Sequence, residues 1–194
     1  MSELLNPERP MRADARRNRA RILQAARELF ASGRPDVQID DVARRAGVGV
    51  GTVYRHFPDK QALMGELVRE RFTIFNENLR AAVAEEGTSP FEALASVLRA
   101  NAAYMADDAA TRFAFTRGGE GVFAYAAAEM VEFMALSSEL VARAKAGGEL
   151  TPDFQADDIP MLMCGVCAAI DKRHDGWDWQ RHLELILRGM RTWD

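Results

Sequence analysis

The sequence predicts an all-α protein in two parts: a small N-terminal three-helix head on a larger C-terminal helical body, about nine helices in all. Three observations carry this. Nearly half of the 194 residues are hydrophobic, with Ala, Met and Phe plentiful and β-branched runs scarce, a composition that favours helices over strands. Apolar residues recur at three- and four-residue spacing in one segment after another, the mark of a helix with one buried face. Gly, Pro and cap-forming residues separate those segments at helix-length intervals. The expected division is a mobile N-terminal arm over 1–12, a head over 13–75 and a body over 76–194.

Residues 1–11 hold two prolines and no periodic pattern, so an arm is expected there. Arg9 and Arg12 on it could reach phosphates. The first helix is predicted from about Ala13 to Ser32, with Ile22, Leu23, Ala26, Leu29 and Phe30 as its apolar stripe and Gly33 as its stop. Arg16, Arg17, Arg19 and Arg21 crowd its N-terminal half. They form either a solvated face or, as a group, a surface for a polyanion backbone.

Residues 38–57 read as a helix-turn-helix. Ile39, Val42 and Ala43 share one face of a short helix, and Gly47 stands where that helix must stop, since Gly tolerates the left-handed conformation common there. After the spacer Val48-Gly49, a second short helix runs from about Val50 to Phe57, ended by Pro58. Val53 and Phe57 point back at the first helix, leaving Thr52, Tyr54, Arg55 and His56 to project elsewhere. That helix carries hydroxyls, an imidazole and a guanidinium but no acid. A helix fits the DNA major groove in diameter.

Gly-Val-Gly-Val-Gly-Thr-Val-Tyr-Arg-His-Phe-Pro-Asp-Lys, residues 47–60, resembles the recognition-helix signature of TetR-family transcriptional regulators. Arg-Ile-Leu-Gln-Ala-Ala-Arg-Glu-Leu-Phe-Ala-Ser-Gly, residues 21–33, is similar to that family's first helix. The resemblance covers roughly the first third of the chain; beyond residue 75 only helical character and length agree. It departs where the family has hydroxyl residues opening the two short helices, here Gln38 and Gly49. Gly is an acceptable N-cap, while Gln is a poor one, so Asp40 or Asp41 must serve the first-turn amides. The resemblance implies backbone contacts from Thr52, Tyr54, His56 and Lys60. Base reading then falls to Val50, Gly51, Arg55 and, on the first short helix, Arg44. Gly49, Val50 and Gly51 offer few hydrogen bonds, so DNA shape contributes.

Asp59 can cap a fourth helix, with Lys60 in its first turn, where free amides and a partial positive charge favour an anion. Leu63, Leu67, Phe72, Phe75, Leu79 and Val83 mark one side of this helix up to Gly87. It is long enough to join the head to the body. Ser89-Pro90-Phe91-Glu92 starts the next helix with a cap, a first-position Pro and a capping box; Phe91, Leu94, Leu98, Ala102 and Met105 face the core. Asp107 or Asp108 starts a short helix through Phe113 and Phe115, broken at Gly118-Gly119. A helix over about 120–145 follows, with Val122, Ala126, Met130, Phe133, Leu140 and Ala144 inward. The last two helices span about 156–172 and 178–192. The run Met161–Ile170 is apolar all round and needs partners on more than one side. In the second of these helices Leu183, Ile186, Leu187 and Met190 face inward or across an interface. These two helices are the expected interface of a two-fold homodimer.

The charge is divided. Residues 1–60 hold 12 Arg/Lys against 8 Asp/Glu, and the remainder 13 against 21, which suits a head that meets DNA on a body that does not. No segment reads as a signal peptide or membrane span, which predicts a cytoplasmic protein. Tyr104, Phe113, Phe115, Phe123, Tyr125, Met130, Phe133, Met134, Met161 and Met163 either fill a core or line an apolar cavity, since Met adapts to both. The pocket candidates are Phe75, Tyr104, Phe113, Phe123, Met130, Phe133, Met134, Met163 and Cys167. Cys164 and Cys167 share a helix face, as small core residues or as a thiol pair. Asp171, His174 and Asp175 read as a solvated helix end before a metal site. No triad, phosphate loop or paired carboxylates in apolar surroundings occur, so no catalytic residue, metal or cofactor is implied.

The expected function is a sequence-specific DNA-binding transcriptional regulator. The resemblance makes repression the default, with release from a palindromic operator by a small apolar effector. The alternative is a ligand-sensing helical module with a degenerate DNA-binding head.

Overall fold

The computed structural model describes residues 8–34 and 36–192. The head comprises α1 (Glu8–Ala31), α2 (Ile39–Ala46) and α3 (Val50–His56); the body comprises α4 (Lys60–Ala84), α5 (Pro90–Asp107), α6 (Ala109–Arg117), the single turn α7 (Glu120–Phe123), α8 (Ala127–Ala146), α9 (Asp158–Asp171) and α10 (Trp179–Gly189). Among the described residues the one extended pairing is an isolated bridge between Leu150 and Arg191, and no helix is long and apolar enough to cross a membrane.

The first helix begins at Glu8 rather than near Ala13. Pro10 falls in its first turn, where backbone N–H groups have no intrahelical partner, so the missing donor costs nothing. Residues 8–12 of the expected arm are therefore helical, and residues 1–7 lie outside the described residues. The expected 120–145 helix is broken: a 3-10 turn at Ala124–Ala126 separates α7 from α8. Neither Gly nor Pro stands in that turn. Contact explains it, because the turn presses Tyr125 against Gly65 in the second turn of α4, where a Cβ would lie 2.6 Å from the Tyr125 side chain.

Burial follows the helical stripes. Ile22, Leu23, Ala26 and Phe30 of α1 meet Ile39, Val42 and Ala43 of α2, Val53 of α3, and Phe57 in one continuous core. That core runs on through Leu63, Leu67, Phe72, Phe75 and Leu79 of α4, which packs against α5, α6, α7 and α8. The chain passes from head to body without a break in α4, so the boundary expected at residue 75 falls inside a helix.

Caps set the ends. Ser89 Oγ accepts from Glu92 N at 3.1 Å with Pro90 at the helix start, but the Glu92 carboxylate pairs with Arg191 instead of closing a capping box. Asp108 caps α6, and Arg99 of α5 holds Glu184 of α10 through two bonds of 2.7 and 3.0 Å.

Gly65→Ala tests the close approach. Helix propensity would gain up to about 1 kcal/mol, but overpacking against Tyr125 costs roughly 1–3 kcal/mol. Urea unfolding should therefore give a less stable variant; an equal or more stable one would mean the turn can retreat freely.

Candidate DNA interface and ligand cavity

The turn between α2 and α3 is built by Gly47, whose φ of 64° and ψ of 40° lie in the left-handed region that Gly alone adopts without strain. Arg21 of α1 donates to the Gly47 carbonyl at 3.4 Å. The weak Gln38 cap is supported by Asp41, whose carboxylate accepts from Gln38 N at 3.1 Å.

With Val53 and Phe57 buried, α3 turns one face outward. Val50 is 38% and Tyr54 51% exposed, and Gly51 and Arg55 are also exposed, while Thr52, His56 and Lys60 are partly covered. Val50, Gly51, Tyr54 and Arg55 thus form one surface, reached at one- and four-residue steps. Arg44 at the end of α2 is exposed and paired with Asp41. Beside α3 begins α4, where Asp59 Oδ1 accepts from Ala62 N at 2.7 Å and the Lys60 ammonium lies 5.9 Å from the Phe30 ring centroid. The arginines of α1 divide their work. Arg19 bonds Glu66 at 2.7 Å and lies over the Phe57 ring, so it ties the head to α4; Arg17 pairs with Asp14. Arg19 and Arg21 therefore serve the fold, a role that spacing along the sequence could not reveal.

The body encloses a cavity of about 390 Å³ between α4, α5, α6, α7, α8 and α9. Seven expected residues line it: Phe75, Phe123, Met130, Phe133, Met134, Met163 and Cys167. Two do not. Phe113 leaves the cavity to stack on Phe30 of α1, rings 5.6 Å apart and nearly parallel. Tyr104 lies beneath the Arg71 guanidinium, 4.1 Å from ring centroid to Cζ, and donates to Asp108 Oδ2 at 3.0 Å. Phe115, read from the sequence as core or cavity wall, lines it too, whereas Phe72, Met105, Ile159, Arg71 and Asn101 were missed as lining residues. The apolar ones carried the same helical stripe as core residues. The exposed Thr116, Pro160 and Cys164 mark the side open to solvent. Cys167 is buried, and burial pushes its thiol up to about 12, so it stays a neutral apolar wall. Asp171 accepts from Arg112 at 2.6 Å, which assigns it to packing. Among the described residues no cluster has the makings of a metal site.

The joint between head and body lies beside this cavity. Arg27 of α1 reaches Asp108, the α6 cap, at 3.4 Å and also Glu70 of α4. Burial pushes the Asp108 carboxyl up, but the Thr111 amide and hydroxyl, the Tyr104 hydroxyl and Arg27 together hold it below its ordinary value. Glu66 is likewise raised by burial and then carried below its ordinary value by Arg69 and Arg19.

A helical head presenting α3 and the start of α4, set on a helical body with an apolar cavity, is the architecture of a helix-turn-helix regulator. Residues 22–67 match the model of the bacterial regulatory proteins, tetR family, and residues 89–192 that of the transcriptional regulator SbtR-like C-terminal domain. The chain is 38% identical over 179 residues to the HTH-type transcriptional repressor KstR of Mycobacterium tuberculosis, spanning 89% of this chain and 80% of that one. The crystal structure of a TetR transcription regulatory protein from Mycobacterium vanbaalenii superposes with a TM-score of 0.57 at 35% identity, over 94% of this chain and all of that one. A TetR transcriptional regulator of Streptomyces coelicolor gives 0.57 at 26% identity, over 91% of this chain and 99% of that one. The chain belongs to the TetR family: it is a DNA-binding transcriptional regulator and not an enzyme.

Both Glu66 and Asp108 have pKa values held below the ordinary ones, so the stability they lend is fully present above the ordinary carboxylate range and is lost as pH falls from that range through their lowered folded-state values. The melting temperature should therefore begin to fall below about pH 5 and keep falling beyond the ordinary carboxylate range. Asp108→Asn should lower it at pH 7 and flatten that fall. An unflattened acid profile in the variant would remove Asp108 from the joint's energetics.

Proposed function

We propose that this protein is a homodimeric repressor that binds a palindromic operator and leaves it when a small, mainly apolar ligand enters the body cavity. The observation that carries this reading is that the cavity walls are also the joint. α4 supplies Phe72 and Phe75 to the cavity and Glu66 and Glu70 to the head. α6 supplies Phe115 to the cavity and Phe113 to Phe30 of α1. A ligand that displaces either helix must move the head. It acts only if it binds one head position better than the other.

On the DNA, the exposed face of α3 enters the major groove. Val50, Gly51, Arg55 and Arg44 read base edges and shape; Thr52, Tyr54 and His56 hold phosphates, as does Lys60 at the α4 N-terminus. Dimerisation runs through α9 and α10. On α9 the exposed Met161, Gly165 and Ala168 form a stripe of small and apolar residues, and on α10 Leu185 is 53% exposed. Joining these faces to a two-fold copy gives a four-helix bundle and places two α3 helices in successive grooves, ~34 Å apart. Its place is the cytoplasm, with the DNA.

Selection from a random duplex library tests the reading. One palindrome should be enriched, and Tyr54→Ala should bind it roughly tenfold more weakly, the loss of one good phosphate contact, with an unchanged melting temperature. Equal binding to all duplexes with a steep salt slope would mean backbone attraction alone. It would leave the body as a sensing module whose head no longer reads sequence. Light scattering at micromolar concentration should give a dimer, and Leu185→Glu should shift it toward monomer; a monomeric parent protein would remove the bundle.

A further inference from the structure

Arg71 is the group in the cavity wall that an apolar ligand leaves unexplained. It is 3% exposed, yet among the described residues no carboxylate lies within ion-pair distance of it. Its Nε donates to Asn101 Oδ1 at 2.8 Å and its Nη2 to the same oxygen. Two aromatic faces complete its surroundings, Tyr104 at 4.1 Å and Phe75 at 5.5 Å. The acid whose charge reaches it, Asp108, is already engaged by Arg27, Tyr104 and Thr111. Arg112 provides the contrast within the same protein: also buried, it has Asp171 at 2.6 Å and a backbone carbonyl besides.

A guanidinium stays charged at any physiological pH, and a buried charge without a counter-ion is costly. One amide oxygen and two ring faces are partial compensation. Arg71 and Asn101 both line the cavity, whose remaining wall is Phe, Met, Ile, Pro and Cys apart from Thr116 at the open side. The Asn101 oxygen must face the guanidinium, since its NH2 would oppose the Arg N–H groups. That leaves the Asn101 amide N–H2 as a second donor beside the free guanidinium edge. A planar anion with two oxygens fits such a pair, and carboxylate is the simplest.

We propose that the ligand of this cavity is an amphipathic carboxylate, its acid group bound by Arg71 and Asn101 and its apolar body held by the Phe and Met walls. The proposal rests on the body cavity being the effector site. It alters the expected ligand in one respect: the apolar part supplies contact area, while the acid supplies the orientation and the selectivity. Tyr104 holds the guanidinium in place from behind and also bonds the α6 cap Asp108, so neutralising Arg71 acts directly on the joint to the head.

The test separates the cavity from the acid. The neutral dye Nile red reports occupancy of the apolar cavity by its fluorescence, and matched pairs compete for it: decanoate with decanamide, 2-naphthoate with 2-naphthamide, and 4-phenylbutyrate with 4-phenylbutyramide. In the parent protein at least one acid should displace the dye at a concentration tenfold or more below that of its amide. Arg71→Met, which keeps the stem and removes the charge, should abolish that preference while still binding the dye. Arg71→Lys should retain part of it and covers the case in which the Met variant fails to fold. Displacement by acids and amides alike in the parent protein would overturn the proposal and leave the cavity reading standing. No dye binding, or no displacement by any competitor, would overturn both.

Discussion

The stack of Phe30 on Phe113, with Arg27 bridging Asp108 and Glu70 beside it, is the contact on which the rest of the molecule depends. The head is small. Its three helices bury only a short stripe each, and two of them are two turns long. Isolated helices of that length are marginal in water. They persist because α1 lies along α6 and because the apolar core continues from the head into α4. The ionic part of the joint is partly buried, so it is less screened by salt than a surface pair. The aromatic part, a buried Phe30 under a partly buried Phe113, is geometrically specific. Together they give the head a defined position without fusing it to the body.

That arrangement places signalling and packing in the same residues. α4 and α6 each present one face to the head and another to the cavity. A change on the cavity side cannot be absorbed by a soft layer, because interiors are close-packed. Gly65 sharpens the point: it lets the turn at Tyr125 rest directly on the α4 backbone, so α4 has little room to shift on that side. Arg71 adds electrostatics to the same helix. Its aromatic and amide cradle keeps it positioned, and Tyr104 connects that cradle to the α6 cap.

The sequence pattern was readable wherever structure was local. Gly47 stops α2 in the left-handed conformation, Asp59 and Ser89 cap their helices, and Val53 and Phe57 turn inward so that Tyr54 and Arg55 face out. It failed where contact at a distance decided. Phe113 and Phe133 look alike as apolar residues of helices in the body, yet one joins the head and the other lines the cavity. Arg19 and Arg21 look like their neighbours Arg16 and Arg17, but their partners Glu66 and Gly47 lie 47 and 26 positions along the chain. The break at Ala124–Ala126 has no breaking residue of its own.

The sequence by itself determined the helical class, the turn of the head and the outward face of the recognition helix, because periodicity, caps and a left-handed Gly act within a few residues. Only the tertiary structure decided which Phe and Met residues enclose space and which fill it. It also decided that Arg71 enters the interior where, among the described residues, no acid lies within ion-pair distance. Both depend on six helices drawn from across the body closing around one volume, and no property of any one helix specifies what the other five bring to it.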